Sequence, residues 1–214
     1  MISLDLTTEY LDKVRDNQSN CQCADCDSEN PTIANMSWLL VICKQCASIH
    51  QRLTSDFLHL QSLLSTSCDP YLVDLLHDYG NQFVNQMIDN QNLKPNDQSS
   101  DIEREEYIRK KYLERNFLRE KNHYTQDELN QMLYENVETS DYGKTLYLII
   151  LGADPNYSEK MFTVADHAKR YQQIKQMQMV LANGGSFFFE RNSIRNIVVF
   201  FLVSRSFGIR FNQK

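Results

Sequence analysis

The chain has 214 residues, and its 22 basic and 28 acidic side chains give a formal net charge of −6. That length fits one domain or two small ones, and 42% hydrophobic residues with only 6 glycines and 4 prolines predict a folded core. The charge is uneven, because residues 186–214 carry +4, which leaves −10 for residues 1–185. Binding to phosphate backbones needs clustered Lys and Arg, so we expect no nucleic-acid partner.

The N-terminal segment has neither a basic stretch nor a long apolar run, and no segment approaches the ~20 apolar residues that span a bilayer. We therefore expect a cytoplasmic protein in a reducing setting. There, closely spaced cysteines are metal ligands more often than disulfide partners.

Five of the six cysteines fall between positions 21 and 46. Cys23 and Cys26 form one CxxC knuckle, sixteen residues follow, and Cys43 and Cys46 form a second knuckle. Four thiolates at this spacing suit one tetrahedral Zn²⁺, and four protein ligands leave no open position, so the spacing predicts a structural site. Two alternatives stay open here: Cys21 in place of Cys23, and a set of buried thiols without metal.

Short elements surround and follow the knuckles. Residues 36–43 have the composition and length of a strand, and residues 44–53 predict a helix with Cys46, Ile49 and Leu53 on one face. Asp69-Pro70 predicts the start of a further helix, and Gly80 suits its C-terminal end. Two more helices are predicted over residues 81–92 and 102–117.

An ordered set of motifs accompanies the cysteines: Ile49-His50, then Gly80-Asn81-x3-Asn85, Lys94-Pro95 and Arg104-Glu105-x-Tyr107-Ile108-x2-Lys111-Tyr112. With the cysteine spacing, it resembles the zinc-finger catalytic domain of Arf GTPase-activating proteins over about residues 18–120. The resemblance implies one structural zinc and a GTP-bound Arf-type small GTPase as partner. It also implies that His50 lies beside the catalytic position, although a buried His near a zinc knuckle more often supports the ligands by hydrogen bonding.

The catalytic arginine of that family lies five positions after the fourth zinc ligand, and this chain has Gln51 there. Arg52 is an unfavourable substitute, because one residue along an α-helix turns the side chain by about 100°. Between residues 20 and 65 the only basic residues are Lys44 and Arg52, against Asp25, Asp27, Glu29 and Asp56. We therefore expect a GTPase regulator of weakened or lost activity. The alternative is a non-catalytic zinc and ankyrin scaffold for protein interactions.

Residues 148–185 are similar to degenerate ankyrin repeats, through Leu-Gly-Ala-Asp-Pro-Asn at 151–156 and Thr-Val-Ala-Asp-His-Ala at 163–168. The Leu-Gly-Ala-Asp-Pro-Asn sequence most resembles the group of Arf GTPase-activating proteins that also carries Rho-GTPase-activating, ankyrin and PH domains (the centaurin-delta type). A generic helical hairpin is the alternative. So few repeats cannot bury a core alone, so we expect them to pack on the zinc lobe.

These interpretations predict an α+β fold that is mostly helical, with a small four-cysteine zinc-finger lobe of short strands wrapped by helices. We place the zinc-binding domain at residues 1–120, the ankyrin-like repeats at 121–185 and an atypical apolar, basic tail at 186–214. The tail suits a strand pair, an interfacial membrane anchor or, as we favour, a segment foreign to the domain. Any membrane recruitment is expected to be indirect, through domains outside this sequence.

Overall fold

The computed structural model describes residues 8–53, 59–88, 94–118 and 123–188. The fold is mixed α and β and mostly helical, as predicted, and these described residues contain two small antiparallel sheets. In the described part of the zinc-finger half, the α-helices are α1 Glu9–Arg15, α2 Lys44–Leu53, α3 Pro70–Asp78, α4 Gly80–Met87 and α5 Asp101–Ile108. Within the described ranges, no helix is long and apolar enough to cross a membrane.

A three-stranded sheet carries the two knuckles. Its strands are β1 Ile33–Asn35, β2 Leu40–Ile42 and β3 Leu60–Ser62, and β1 pairs antiparallel with both neighbours. The prediction of one strand over residues 36–43 is therefore wrong in its first half. Residues 36–39 turn the chain between β1 and β2, because Asn35 Oδ1 accepts a hydrogen bond from the Trp38 N–H and Leu39 adopts a φ of +52°.

The predicted helices at residues 44–53 and after Asp69 are confirmed as α2 and α3. Asp69 caps α3 by accepting the N–H groups of Tyr71 and Leu72, with Pro70 in the first turn. Gly80 follows α3 with a φ of +68°, and a Cβ there would collide with the side chain of Asn17. This glycine makes the sharp turn that sends α4 back along the knuckles.

The predicted single helix over residues 102–117 is shorter and less regular than expected. The α-helix α5 ends at Ile108 and continues as a π turn over Arg109–Leu113, and Arg115 then adopts a φ of +53°. A π turn adds one residue to the helical repeat. Lys111 and Tyr112 both lie in this turn, and both are buried against the first knuckle.

Two helix pairs follow, with α6 packed on α7 and α8 packed on α9. Their bounds are α6 Gln126–Asn136, α7 Tyr142–Leu151, α8 Val164–Arg170 and α9 Ile174–Ala182, with a hairpin of β4 Ser158–Glu159 and β5 Phe162–Thr163 before α8. Gly152 ends α7 in the left-handed conformation. The boundary between the predicted zinc-binding and ankyrin-like domains stays a prediction. Of the predicted tail, residues 189–214 lie outside the described residues.

The α6–α9 segment packs on the zinc-finger half, as expected for an array of few repeats. Ser37 Oγ donates to the Ala182 carbonyl at 2.7 Å, and Asn183 Nδ2 donates to the Ser37 carbonyl at 2.9 Å. The Lys175 Nζ of α9 lies 3.7 Å from Asp74 and 3.5 Å from Asp78, both on α3. The two parts therefore share one apolar core.

Candidate metal centre and adjacent helix

Four cysteine thiols meet between the sheet and the start of α2. The Sγ atoms of these four residues all lie within 4.8 Å of one another; the residues are Cys23, Cys26, Cys43 and Cys46. Cys23, Cys26 and Cys46 are fully buried and Cys43 is half-buried. Soft thiolate donors, burial and a count of four match a closed tetrahedral zinc site.

Backbone amides point at these sulfurs. The Cys43 N–H donates to Cys23 Sγ at 3.2 Å, the Asp25 N–H donates to the same sulfur at 3.4 Å, and the Cys46 N–H donates to Cys43 Sγ at 3.4 Å. Such donors stabilise thiolate over thiol. The four thiols affect one another unequally. Hydrogen bonding with Cys23 lowers the pKa of Cys43 to about 6 and also lowers the pKa of Cys26, whereas burial raises the pKa of Cys23 and hydrogen bonding with Cys23 raises the pKa of Cys46. A metal ion that binds all four sulfurs therefore has to displace the remaining thiol protons.

Arg104 of α5 supplies a positive charge on the other side of the cluster. Its Nη1 lies 3.6 Å from Cys46 Sγ, and its remaining donors bind the carbonyls of Asp97 and Ser99. The side chain is only 1% exposed. Four thiolates with one Zn²⁺ carry a local charge of about −2. The guanidinium would therefore offset about half of that charge, and it also joins α5 to the second knuckle.

Cys21 lies outside this cluster, although the sequence left it open as a ligand. Its Sγ faces the Arg15 carbonyl at 3.7 Å, and the side chain is half-buried. Cys21 is the last residue of a one-turn 3₁₀ helix over Gln18–Cys21, which ends before the first knuckle and keeps Cys21 apart from the four clustered cysteines. Cys68 is likewise separate, with its Sγ 3.4 Å from the Ser62 carbonyl.

A buried polar network lies next to the knuckles and centres on Asp25, which stands between Cys23 and Cys26. Asp25 Oδ1 accepts hydrogen bonds from Lys111 Nζ at 2.7 Å and from the Tyr112 hydroxyl at 2.8 Å. Its Oδ2 lies 2.8 Å from His50 Nε2. Burial by itself would raise the pKa of Asp25, but the positive charge of Lys111 and the His50 hydrogen bond outweigh burial and lower it.

This network revises one inference from the sequence. The charge count over residues 20–65 includes Asp25, but its side chain is fully buried and paired with Lys111. Asp27 forms an ion pair with Lys94. The acidity of the knuckle surface is therefore lower than the count of residues indicates. The signal that could have identified Asp25 was its place between two ligands together with the Lys-Tyr pair of the family motif.

The asparagines of the Gly-Asn-x3-Asn motif act as backbone clamps. Asn81 Oδ1 accepts the Val41 N–H at 2.7 Å, and its Nδ2 donates to the carbonyls of Gln22 and Val41 at 2.7 and 2.9 Å. Asn85 Nδ2 donates to the Ala24 carbonyl at 3.2 Å, and its Oδ1 accepts from Lys111 at 3.0 Å. The motif residues thereby hold α4, β2 and the first knuckle together.

Gln51 and Arg52 lie near the end of α2, and both are exposed. Ile49 is buried and Leu53 half-buried, which sets the rotation of the helix about its axis. Arg52 Nη2 lies 3.4 Å from Glu105 Oε2, and Arg109 Nη2 lies 3.2 Å from the other oxygen of the same carboxylate. Arg52 is therefore directed at α5, while Gln51 occupies the neighbouring position on a helix that is regular over its whole length.

Comparison with known proteins identifies the class of this domain. Residues 8–121 match the ArfGap family, described as "Putative GTPase activating protein for Arf". The chain belongs to this family. ArfGap domains are zinc-finger domains, and the four-cysteine cluster is the site for one structural zinc.

Among curated relatives, human Arf-GAP with coiled-coil, ANK repeat and PH domain-containing protein 3 is 33% identical over 114 residues, which cover 51% of this chain and 14% of that protein. Mouse ARF GTPase-activating protein GIT2 is 27% identical over 185 residues, covering 78% of this chain and 26% of that protein. This chain thus spans a minor part of the length of these relatives. The solved ArfGap domain of human RIP is 21% identical, with a TM-score of 0.45 over 55% of this chain and 89% of that one.

Proposed function

We propose that this chain acts in trans on the GTP-bound form of an Arf-type small GTPase, and that its stimulation of hydrolysis is weak or absent. Membership of the ArfGap family supports the choice of partner. The observation that carries the proposal of weak activity is Gln51 at the position of the catalytic arginine. The chain has no substrate turnover of its own in this proposal, because the GTPase holds the nucleotide.

The chemistry makes the substitution costly. An arginine supplied in trans neutralises charge that develops on the phosphates, and it is worth roughly 10³–10⁵ in rate. The amide of Gln51 can donate a hydrogen bond to a phosphate oxygen, but it brings no positive charge. Orientation of the attacking water is commonly the task of a glutamine of the GTPase itself, so a second glutamine supplies nothing that is missing.

Arg52 does not take over the role in this proposal. Its guanidinium is paired with Glu105, and a shift of one residue changes the direction of the side chain by about 100° and advances it along the axis by about 1.5 Å. Displacements of about 1 Å already cost a factor of about 10² in catalysis. The regular α2 helix offers no bulge that would correct the phase.

The test is GTP hydrolysis by a GTP-loaded Arf protein with the zinc-loaded chain. We expect Gln51→Arg to raise the rate at least tenfold over the wild-type chain, because it restores the cation at the expected position. Ser48→Arg adds the same charge at an exposed position one turn earlier, and we expect no gain from it. Full stimulation by the wild-type chain would contradict the proposal. Loss of a residual rate in Arg52→Ala would assign that activity to Arg52.

A scaffold that binds proteins without stimulating hydrolysis is the second candidate. The packing of α9 on α3 favours it, because the zinc-finger half and the ankyrin-like half then present one continuous surface. Calorimetric titration with Arf bound to a non-hydrolysable GTP analogue separates the two proposals. Binding without hydrolysis that Gln51→Arg converts into hydrolysis supports a regulator. Absence of Arf binding by both variants supports the scaffold.

We also propose the finer assignments. The Leu-Gly-Ala-Asp-Pro-Asn sequence at residues 151–156 supports assignment to the subfamily with Rho-GTPase-activating, ankyrin and PH domains. The left-handed Gly152 at the end of α7 suits an ankyrin-like turn. Cytoplasmic localisation with recruitment to membranes belongs to the same proposal.

A further inference from the structure

The hairpin that precedes α8 has an unusual loop. Ser158 pairs with Thr163 and Glu159 with Phe162, which leaves Lys160 and Met161 as a two-residue loop. Both loop residues have positive φ, +46° for Lys160 and +71° for Met161. Two-residue loops of this kind favour Asn-Gly, because longer L side chains are strained there. A strained loop of a basic and an apolar residue calls for an explanation beyond folding.

The loop also concentrates apolar surface at its tip. Met161 is 70% exposed and Phe162 is 41% exposed. The Arg170 guanidinium, at the end of α8, lies 5.6 Å from the centre of the Phe162 ring. We call Lys160, Met161, Phe162 and Arg170 the hairpin patch. The exposed Lys169 lies beside it, with its Nζ 5.1 Å from the centre of the Phe187 ring.

Two neighbouring acidic side chains, Glu159 and Asp166, keep their negative charge and offset part of the basic charge of the patch, so residues 158–170, with three basic and two acidic side chains, have a net charge of +1. Glu159 accepts a hydrogen bond from the Tyr157 hydroxyl at 3.2 Å. Asp166 caps α8 through Thr163 and accepts the Phe188 N–H at 2.9 Å. The basic groups of the patch instead face solvent. The patch is thus an exposed apolar hairpin tip in a locally basic segment, within a chain whose net charge is −6.

Charge and shape decide between possible occupants. The 26 residues after Phe188 carry a net charge of +4, so this segment of the chain would add to the positive charge of the patch rather than complement it. A protein partner would need a pocket to receive a convex tip. An anionic bilayer offers negative charge at its surface and an apolar layer beneath it, and it needs no pocket. We propose that the hairpin patch docks on an anionic lipid surface, with Met161 inserted at the interface.

The test uses the full zinc-loaded chain and vesicles of phosphatidylcholine, with and without 30 mol% phosphatidylserine, in a sedimentation assay. The key variant is Lys160→Asn with Met161→Gly, which installs the Asn-Gly pair that this loop geometry prefers. It removes the charge and the apolar tip while it relieves backbone strain, so we expect an unchanged or higher midpoint of thermal unfolding. Lys144→Glu, an exposed basic position in the first turn of α7, is the control for altered net charge.

We expect the wild-type chain to bind the anionic vesicles, to bind neutral ones much less, and to release as salt rises. The Asn-Gly variant should lower the partition coefficient at least tenfold, because it loses one surface cation and one buried apolar side chain. Lys144→Glu should change it less than threefold. Equal binding by the Asn-Gly variant and the wild-type chain, or no binding by either, overturns the proposal. Binding of soluble polyglutamate but not of vesicles, abolished in the Asn-Gly variant, would assign the patch to an acidic protein instead.

Discussion

The buried pair of Lys111 and Asp25 offers the sharpest test of how this domain is held together. Both side chains are fully buried, with Nζ and Oδ1 2.7 Å apart. Replacing Lys111 by Met keeps most of the volume of the side chain and removes the charge. Within the described part of the chain, Asp25 would then be a buried carboxylate that retains His50 and the Tyr112 hydroxyl as its charge-stabilising side-chain neighbours.

The expected cost follows from that geometry. Removing one member of a buried ion pair costs about 3–5 kcal/mol, because the other charge stays buried and uncompensated. A domain of this size is stable by about 5–15 kcal/mol in total. Lys111→Met should therefore remove a large part of the free energy of unfolding of the zinc-finger half. Adding Asp25→Asn to it should cost less than the two single changes together, since the double variant has no unpaired charge.

Urea unfolding followed by tryptophan fluorescence measures these values. The chain has a single tryptophan, and the Trp38 ring centre lies 4.5 Å from that of Tyr112, a member of the network. Zinc content is determined for every variant, so that loss of metal is not mistaken for loss of the ion pair. Lys110→Met is the matched control, because Lys110 is partly exposed and pairs with Glu106 one turn earlier on the helix surface. A cost for Lys111→Met no larger than for Lys110→Met, or strict additivity in the double variant, would refute the reasoning.

Two further predictions concern the same half of the molecule. Removal of zinc by a strong chelator should unfold residues 20–90, because structural zinc contributes about 10–16 kcal/mol of apparent binding free energy. The near-ultraviolet circular dichroism signal should disappear on chelation and return when zinc is added back. An unchanged spectrum would exclude metal-dependent folding. Asn81→Ala should cost about 2–4 kcal/mol in urea unfolding, because it removes the hydrogen bonds that Asn81 makes to the Val41 amide and the Gln22 carbonyl, while the Val41 carbonyl keeps the Ala24 N–H. The exposed neighbour Gln82→Ala should cost less than about 0.5 kcal/mol, the usual value for a surface substitution.

Local patterns were sufficient for several elements. The CxxC spacing brings Cys23, Cys26, Cys43 and Cys46 together because each knuckle is a short local turn that points its two sulfurs the same way. The apolar period of Cys46 and Ile49 and the Asp-Pro start of α3 are equally local, so both helices were predictable. Gly80 was correctly identified, since a left-handed residue at a helix end is a property of the backbone alone.

Non-local interactions decided the remaining features. The turn at residues 36–39 interrupts an apolar run that reads as one strand, because β1 must reverse to pair with β2 and Trp38 packs on Tyr112. The π turn after Ile108 follows from the burial of Lys111 against Asp25, 86 residues away in the chain. A charge count along the sequence also could not show that Asp25 is buried, because burial depends on what the distant helix supplies.

The sequence by itself determined the paired CxxC knuckles, the phase of α2 and the presence of Gln51 five positions after Cys46, because each depends on residue identity and short-range spacing; the structure then decided that Cys23 and not Cys21 joins the cluster. Only the tertiary structure decided that Arg52 is directed at Glu105, that Lys111 and His50 pair with the aspartate between two ligands, and that the exposed Lys160–Met161 loop stands beside Arg170. These features need side chains from separate elements at fixed distances, and such distances are set by packing rather than by order along the chain.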